Sequence, residues 1–321
     1  MVKNILVIRS DRFGEFLLNI PAILALKEAY PQARISLAVN PEVLDLAGTV
    51  ECVDEVLVWD EIKSCLRRYG FDLGVVLNPL KEAHWAIFKA GIPVRVGYER
   101  KCGFLLTHNI KDTKHLGDRH EVECNLELVG LVCNQRQFPA ETVSDSAGTV
   151  SAITLNIPDN DKYKFLKGAI AIHPFTSDPV KQWPVERFIE LTQRIEKEMK
   201  VEVVLVGKVE DRQHSLPWSV PLETMDLINK TSLVELAAVL EYCSLLVSCD
   251  SGPMHLAAAV GTPVVALFRN DLPGKTAKRW GPWGRGHTVF EKAGLNDISV
   301  DEVLDVVKDK LKRQSPTETV S

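Results

Sequence analysis

The sequence lacks a hydrophobic run long enough to cross a membrane. No apolar stretch approaches the roughly 20 residues that a membrane-spanning helix needs. The N-terminus leads from Met1-Val2-Lys3 directly into the strand-like run Asn4 to Ile8, without the separate charged, apolar and cleavage regions of a signal peptide. We therefore expect a cytoplasmic protein that meets a membrane only as a peripheral partner.

The chain also lacks the residue patterns of metal, redox and nucleic-acid sites. Its seven cysteines form no Cys-x-x-Cys pair, and its eight histidines show no ligand spacing with cysteine or carboxylate. The formal net charge of −5 is opposite in sign to the basic excess of most nucleic-acid-binding proteins. We expect reduced thiols, no metal, no cofactor, no nucleic-acid partner and a small-molecule substrate.

Length and apolar pattern together predict an α/β protein of two domains. A chain of 321 residues exceeds what one compact core usually organises, and short apolar runs alternate with segments of helical period. In the first series, strands are predicted at residues 5–8, 35–39, 56–59, 73–77 and 94–97, and a helical segment is predicted from Phe16 to Ala29. In the second series, strands are predicted at residues 169–173, 201–206, 245–249 and 264–268. Residues 134–161 are rich in Ser, Thr, Asp and Pro, so we place the boundary there. The predicted domains are 1–157 and 158–321, two Rossmann-like lobes that face each other across a cleft.

The sharpest motif is an apolar strand that ends in Asp250-Ser251-Gly252. A helix begins at once, with Pro253 in its first turn, where a missing N–H costs nothing. The backbone amides and dipole of such a helix start attract an anion, and Gly252 lets a phosphate approach closely. Asp250 suits a sugar hydroxyl, and Ser251 can donate a hydrogen bond. The alternative is that Asp250 and Ser251 only cap the helix while His255 packs beneath it.

A second motif is the hydroxyl-rich loop that follows the first strand of the second domain. Thr176 and Ser177 could donate to the oxygens of a diphosphate, and Lys181 could neutralise its charge. The alternative is that Lys181 is an ordinary surface lysine, and Trp183 nearby is more typical of packing than of cofactor stacking. Gly274-Lys275-Thr276 looks like the end of a P-loop but lacks the earlier glycine, so we assign it no role.

The loop that follows the first strand of the chain carries a third candidate. Gly14 permits a tight strand-to-helix turn, and Glu15 would point a carboxylate toward the carboxyl edge of the sheet. Such a carboxylate could deprotonate an acceptor hydroxyl. Asp11 is a second candidate base, and we expect Asp11 and Arg12 to contact the acceptor. The alternative for Glu15 is an acidic residue that only interacts with the helix dipole.

Taken in order, these motifs resemble those of glycosyltransferase family 9. The resemblance spans nearly the whole chain, and the ordered set is far more specific than any one motif. It rests on Arg9 to Gly14-Glu15, Pro21, Leu26-Lys27 to Tyr30-Pro31, Arg95-Val96-Gly97-Tyr98, His120-Glu121 to Leu128, His173-Pro174, Lys181-x-Trp-Pro-x-Glu186, Asp250-Ser251-Gly252-x-x-His255 and Trp283-x-x-Gly286-His287.

The resemblance implies a GT-B fold whose first lobe binds the acceptor and whose second lobe binds the nucleotide sugar. It implies an inverting, metal-independent glycosyltransferase that moves heptose from ADP-heptose, or a related nucleotide sugar, to the lipopolysaccharide inner core. By this likeness the donor is bound by Thr176, Ser177, Lys181, Glu210, Asp250, Ser251, Gly252 and His255. Among these residues Glu210 would hold the nucleoside, and the neighbouring Asp211 could serve instead.

One departure from the family concerns the catalytic base. The family usually has Gly-Asp where this chain has Gly14-Glu15, and that aspartate is the expected base. Glutamate keeps the carboxylate but carries it one methylene farther from the backbone. We expect Glu15 to act as the base, and Lys181 to assist catalysis by stabilising the charge of the leaving diphosphate.

The implied acceptor is a lipid-anchored core saccharide at the inner face of the cytoplasmic membrane. The resemblance therefore implies peripheral contact with that membrane, and we expect a monomer. Two alternatives stay open. One is a catalytically degenerate nucleotide-sugar-binding protein of the same fold, suggested by Glu15. The other is a GT-B enzyme that uses another nucleotide sugar, as a hexosyltransferase or an epimerase.

Overall fold

The computed structural model describes residues 2–133, 153–209 and 224–314. The chain divides into two compact units, Met1–Asn156 and Ile157–Ser321. The boundary that composition predicts lies one residue beyond this division. Each unit contains its own six-stranded parallel sheet.

The sheet of the first unit is the predicted Rossmann-like sheet. Its strands are β1 (Asn4–Ile8), β2 (Arg34–Val39), β3 (Glu55–Val58), β4 (Leu73–Val76), β5 (Val94–Tyr98) and β6 (His108–Ile110). They lie in the spatial order β3-β2-β1-β4-β5-β6, so the order reverses between β1 and β4. Residues 5–8 of the central strand β1 are all fully buried, which explains their uninterrupted apolar sequence.

The helices of the first unit differ from the sequence prediction near the N-terminus. They are α1 (Phe13–Leu17), α2 (Ile20–Ala29), α3 (Leu44–Ala47), α4 (Trp59–Ile62), α5 (Lys81–Lys89) and α6 (Glu121–Gly130). One continuous helical segment was predicted from Phe16 to Ala29, but the structure has two helices. The Asn19 side chain donates to the Glu15 carbonyl, and Pro21 has no N–H to continue the helical ladder. The chain therefore turns between α1 and α2.

The second unit repeats the strand order of the first. Its strands are β7 (Ile170–His173), β8 (Val203–Leu205), β9 (Met225–Asp226), β10 (Leu245–Cys249), β11 (Val264–Arg269) and β12 (Thr288–Lys292). They lie in the order β12-β11-β10-β7-β8-β9, so the reversal falls between β7 and β10. Its described helices include α7 (Val185–Arg194), α8 (Leu233–Tyr242), α9 (Gly252–Ala259), α10 (Ala277–Trp280) and α11 (Val300–Gln314).

Packing in the second unit agrees with the interpretation of Trp183 as a core residue. The Trp183 ring is fully buried and meets Phe188 edge-on, with ring centroids 4.8 Å apart. Its indole N–H donates to the Ile298 carbonyl at 3.0 Å, which satisfies the one polar atom of the side chain. Trp183 therefore joins α7 to the segment before α11, and Lys181, two residues earlier, lies at the edge of this core.

The strands that the sequence did not predict are edge strands. β6 borders the first sheet, and β9 and β12 border the second. An edge strand is only partly covered, so it needs no continuous apolar run; β12 alternates between half-buried and exposed residues. No helix within the described ranges combines the length and apolar character that crossing a bilayer requires.

Candidate functional site

The candidate residues of the second unit meet where its strand order reverses. Asp250 follows β10, and the loop that follows β7 leads to Lys181. β7 and β10 are parallel neighbours, so their carboxyl ends open at the same point of the sheet edge. Ligands of open α/β sheets bind at such a point.

An ion pair joins the two loops at this point. The Lys181 ammonium donates to an Asp250 carboxylate oxygen. The Lys181 side chain is 22% exposed and that of Asp250 is 10% exposed. Burial raises the pKa of Asp250, and the Lys181 charge opposes this rise. Lys181 is therefore not a solitary surface lysine, because it compensates a nearly buried carboxylate.

Ser251 precedes α9 but does not cap it with its side chain. Its hydroxyl oxygen lies 2.8 Å from Ser248 Oγ and 3.1 Å from His173 Nδ1. Burial lowers the pKa of His173 to about 3, so its ring is neutral at physiological pH. The interpretation of Asp250 and Ser251 as simple helix caps is wrong for both residues, because their side chains bond to neighbouring loops and strands instead.

The start of α9 carries the features of an anion site. Gly252 is the first residue of this eight-residue helix, and Pro253 follows it. The first amides of a helix have no partner inside the helix, and its dipole favours negative charge. His255 lies one turn further on and is 4% exposed, so it belongs to the buried face of α9.

The hydroxyl-rich loop that contains Thr176 and Ser177 lies beside the start of α9. The backbone N–H of Asp178 donates to Thr176 Oγ1 at 3.2 Å, which shapes the loop into a tight turn. Ser177 is exposed next to it. The short helix Pro179–Lys181 follows, and Asp178 caps it by accepting from the Val180 N–H. This turn brings Lys181 back toward Asp250.

Lys275 is a second cation near this loop, and no role was predicted for it from the sequence. Its ammonium lies 3.3 Å from Asp178 Oδ2, and its charge reaches Asp250 as well. The N–H of Val180 and the Lys275 charge lower the pKa of Asp178. In the sequence, Lys275 stands within Gly274-Lys275-Thr276, which does not match a P-loop, so no role was predicted for it. The tertiary structure brings this lysine to the site.

Gly207 explains how β8 comes close to the buried histidine. Its φ is +128°, and a Cβ atom there would lie 2.5 Å from the His173 ring. Only glycine fits this close approach. The predicted nucleoside-binding residue Glu210 and its alternative Asp211 lie outside the described residues.

In the first unit, Glu15 lies in α1, three residues after the exposed Arg12. The Glu15 side chain is 26% exposed, and its nearer oxygen lies 3.9 Å from Arg12 Nε. Burial raises the pKa of Glu15, and the charge of Asp11 adds to the rise. A carboxylate with a raised pKa is a stronger base, which suits proton abstraction.

Asp11, the second candidate base, is held by a buried cation. Arg9 follows β1, is 3% exposed, and donates from Nε to Asp11 Oδ1 at 2.6 Å. The same guanidinium donates to the Leu77 carbonyl at 3.3 Å, so it links the ends of β1 and β4. The Asp11 and Glu15 side chains are exposed to a similar extent, 31% and 26%, but Asp11 bonds to a buried cation, whereas the cation nearest to Glu15 in these contacts is the exposed Arg12.

A buried polar network that was not predicted from the sequence extends beneath this loop. Lys114 Nζ lies 2.5 Å from Glu121 Oε1 and 2.9 Å from Asn125 Oδ1. Arg9 reaches the same Glu121 oxygen at 3.8 Å. The Asn125 amide donates to the Leu18 carbonyl at 3.4 Å, at the junction of α1 and α2. The network thus connects α6 to the helix that carries Glu15.

The described part of the chain contains no group of three histidine, cysteine, aspartate or glutamate side chains arranged to hold a metal ion. Lysine and arginine side chains, each paired with a carboxylate, lie near the strand-order reversal of each unit. Lys181 and Lys275 in the second unit, and Arg9 and Lys114 in the first, are the cations concerned.

Comparison with known proteins matches this architecture to one family. Residues 59–302 match the family model of glycosyltransferase family 9 (heptosyltransferase). Lipopolysaccharide heptosyltransferase 3 of Escherichia coli K12 is 27% identical over 319 residues, which cover 91% of this chain and 89% of that protein. Most of the chain thus takes part in the similarity.

Solved structures agree at the level of the fold. The E. coli ADP-heptose lps heptosyltransferase II aligns with a TM-score of 0.81 and 22% identity, covering 97% of this chain and 99% of that one. E. coli heptosyltransferase WaaC with ADP aligns with a TM-score of 0.74 and 16% identity, covering 96% and 99%. Both confirm the predicted GT-B fold. The chain therefore belongs to glycosyltransferase family 9 and is a glycosyltransferase.

Proposed function

We propose that the protein transfers heptose from ADP-heptose to a saccharide of the lipopolysaccharide inner core, with inversion at the anomeric carbon. One relative that covers most of the chain is a lipopolysaccharide heptosyltransferase, and one solved structure of the same fold holds ADP. The observation that carries the proposal is the ion pair of Lys181 and Asp250 beside the start of α9. A diphosphate at this helix start would give the Lys181 ammonium a second anionic partner.

Donor binding is assigned to the second unit. The hydroxyls of Thr176 and Ser177, the Lys181 ammonium and the amides at Gly252 would hold the diphosphate. Asp250 would accept from a sugar hydroxyl, and Ser251, held by His173, would donate to the diphosphate. Glu210 or Asp211 would bind the nucleoside, and His255 would support the loop from beneath.

The chemical step is assigned to Glu15 and Lys181. An acceptor hydroxyl attacks the anomeric carbon, and its proton passes to the Glu15 carboxylate. The bond from that carbon to the diphosphate oxygen breaks, and ADP leaves with the electron pair. Lys181 and the helix start stabilise the negative charge that develops on the leaving group. Asp11 and Arg12, in the same loop as Glu15, would contact the acceptor.

Metal independence is part of the proposal. The cationic groups named above would supply the charge stabilisation that a divalent ion gives to other transferases. Turnover should therefore be unchanged by a chelator, and strict dependence on a divalent ion would contradict this part. The acceptor is lipid-anchored, so the protein would work as a cytoplasmic monomer in peripheral contact with the inner membrane.

The test is ADP release from ADP-heptose, with and without a truncated core-lipid acceptor. Wild type should release ADP only with acceptor. Glu15→Gln should lower kcat by about 10²- to 10⁴-fold, the usual contribution of a general base, with ADP affinity unchanged. Glu28→Gln, which removes an exposed carboxylate of α2, is the matched control and should have wild-type activity.

Other outcomes would identify the alternatives. Saturable ADP-heptose binding without release would indicate a degenerate binding protein of this fold. Conversion of the donor without any acceptor would indicate an epimerase, and release from another nucleotide sugar would indicate a hexosyltransferase. No binding of ADP-heptose would contradict the donor assignment itself.

A further inference from the structure

Two exposed aromatic side chains lie near the edge strand β6 of the first unit. Phe104, in the short helical turn Gly103–Leu105, is 79% exposed. Phe88, near the end of α5, is 44% exposed. Large apolar side chains exposed to this degree lose the free energy of burial, and clusters of them commonly mark an interaction surface.

Contacts of Arg95 show that these two aromatic residues belong to one surface. The Arg95 guanidinium lies 5.5 Å from the centroid of the Phe88 ring. Its Nε donates to the Leu105 carbonyl at 2.7 Å, and its Nη1 donates to the Ile92 carbonyl at 2.6 Å. One side chain therefore joins Phe88 to the residue that follows Phe104.

The turn that exposes Phe104 is fixed rather than loosely attached. Lys101 and Cys102 both have positive φ, +45° and +76°, a conformation that residues with a Cβ adopt only at an energetic cost. His84 Nδ1 lies 3.1 Å from the Lys101 carbonyl and so ties the turn to α5. A Cβ at Gly97 would lie 3.0 Å from the Leu106 side chain, so β5 packs tightly against the residues that follow the turn. The fold thus maintains a strained turn with an aromatic tip.

Basic residues surround these aromatic side chains. Residues 81–111 contain six lysines and arginines but two glutamates, a net charge of +4 in a chain whose net charge is −5. Lys89 follows Phe88 in the sequence, and its Nζ lies 5.6 Å from the centroid of the Trp85 ring. Together Trp85, Phe88, Lys89, Arg95, Lys101 and Phe104 form what we call the aromatic-basic surface.

We propose that the aromatic-basic surface docks the protein on an anionic lipid bilayer. Phe104 and Phe88 would enter the headgroup region, while Lys89, Arg95 and Lys101 would face the negatively charged headgroups. The net positive charge of this segment complements an anionic lipid surface. The inference deepens the proposed function by assigning its membrane contact to residues, and for that setting it rests on the proposed function.

Phe165 in the second unit is also an exposed aromatic side chain near lysines, but those lysines are paired. It is 56% exposed and follows Lys162 and Lys164 in the sequence. Each of these lysines has a carboxylate partner, Glu235 at 3.1 Å and Asp161 at 3.6 Å. This segment therefore combines an exposed aromatic side chain with lysines whose charges are compensated. It serves as the matched control for the aromatic-basic surface.

The experiment is co-sedimentation of the full chain with vesicles of phosphatidylcholine, or of phosphatidylcholine with phosphatidylglycerol. Wild type should bind the anionic vesicles more tightly, and salt should weaken the binding. Lys89→Glu should weaken it by roughly 25-fold, since one basic residue near an anionic surface contributes roughly fivefold and this change reverses a charge. Phe104→Ser should weaken it by about tenfold, because it removes the apolar side chain that would enter the headgroup region. Phe165→Ser and Lys164→Glu should bind within about twofold of wild type.

Three results would overturn the proposal. They are equal binding of wild type to neutral and anionic vesicles, no binding to either, and wild-type binding by Phe104→Ser and Lys89→Glu. A change in self-association of Phe104→Ser, seen by analytical ultracentrifugation with vesicle binding intact, would assign the surface to a second copy of the chain instead.

The vesicles contain neither donor nor saccharide acceptor, so this readout is independent of transfer activity. ADP release with a water-soluble acceptor should be unchanged in Phe104→Ser and Lys89→Glu, because neither residue belongs to the proposed catalytic groups. Vesicle binding without any transfer would contradict the proposed function alone. Transfer without vesicle binding would contradict this inference alone.

Discussion

The two units place charged residues at the same point of the same topology but bury them to different extents. In the first unit, Arg9 follows β1 at the strand-order reversal and its side chain is 4% exposed. In the second unit, Lys181 lies near the equivalent strand-order reversal, and its side chain is 22% exposed. Each has a carboxylate partner, Asp11 and Asp250 respectively.

The difference in burial separates charges that hold the structure from charges that can bind a ligand. A fully buried ion must keep its partners, because removing one leaves an uncompensated charge in a medium of low polarity. Arg9, Lys114 and Glu121 meet this description. A partly exposed lysine can exchange a carboxylate for a phosphate at small cost, since water already reaches it. Lys181 and Lys275 meet that description.

Glu15 combines features of both groups. It is adjacent to the buried network but still 26% exposed, so a substrate can reach its carboxylate while burial raises its pKa. The network beneath would hold α1 in place through the Asn125 bond to Leu18. The catalytic assignment of Glu15 thus depends on rigidity supplied by residues that never touch the substrate.

The largest expected effect tests whether the first network is structural. Lys114→Met removes the cation that bonds Glu121 and should lower the free energy of unfolding of the first unit by about 3–5 kcal/mol. Hydrogen exchange of amides in β1 and α6 measures this loss. The double change Lys114→Met with Glu121→Leu should recover part of it, because no isolated buried charge is left.

A control for that prediction uses an exposed ion pair of the same unit. Lys63 pairs with Asp60 at 2.7 Å and Glu82 at 3.0 Å at the surface, so Lys63→Met should leave exchange of β1 and α6 nearly unchanged. Amides of the second unit provide an internal reference. Wild-type protection in Lys114→Met would remove the distinction between the two regions.

An intermediate effect tests whether the second region binds an anion. Lys181→Met should weaken ADP binding by about 10- to 100-fold, since a hydrogen bond to a charged group contributes roughly 1.5–3 kcal/mol. Lys275→Met should weaken it by no more than about fivefold, because its side chain is 53% exposed and its charge is well screened. Isothermal titration calorimetry with ADP measures both.

Lys278 provides the matched control for these lysines. It is exposed in α10, three residues after Lys275, and Lys278→Met should bind ADP like wild type. A loss of equal size in all three variants would indicate a diffuse effect of net charge. Wild-type affinity in Lys181→Met would show that the ion pair with Asp250 is only structural.

The smallest expected effect concerns stability and the Glu15 carboxyl group. Its pKa is raised in the folded protein, so the folded state binds more protons than the unfolded state between the two pKa values. Its stabilising contribution is complete below the unfolded-state pKa and is lost as pH rises through the folded-state value. At pH 7.5, Glu15→Gln should therefore keep or raise the melting temperature, by no more than about 3 °C.

Thermal unfolding of wild type and Glu15→Gln as a function of pH checks that prediction. The difference should shrink as pH falls toward the ordinary range of glutamate, where both side chains are uncharged. Glu28→Gln should show no such trend, because Glu28 is exposed. A lower melting temperature for Glu15→Gln at pH 7.5 would mean that the ionised carboxylate stabilises the fold.

Prediction from sequence succeeded for the strands that have a continuous apolar run, including the partly buried edge strand β3, and failed for the other three edge strands. Central strands such as β1 and β10 are covered on both faces, so their apolar runs are continuous and readable. The edge strands β6, β9 and β12 are partly exposed, and their polar residues carry no such signal. The turn between α1 and α2 was missed because it depends on the Asn19 side chain rather than on periodicity.

The candidate site was predicted only in the parts that lie close together in the sequence. Asp250, Ser251 and Gly252 are consecutive, and their place between strand and helix is a local property of the chain. The pairing of Lys181 with Asp250 joins residues 69 positions apart, and that of Lys275 with Asp178 joins residues 97 apart. No periodicity encodes such pairs.

The sequence by itself determined the two α/β units, the central strands and the loops that follow β1, β7 and β10, because these depend on local apolar pattern and turn residues. Only the tertiary structure decided which charges are buried together. Lys114, Glu121 and Arg9 look like ordinary surface residues in the sequence. They become a compensated buried network because the order of parallel strands brings distant loops to one edge of the sheet, where water is excluded.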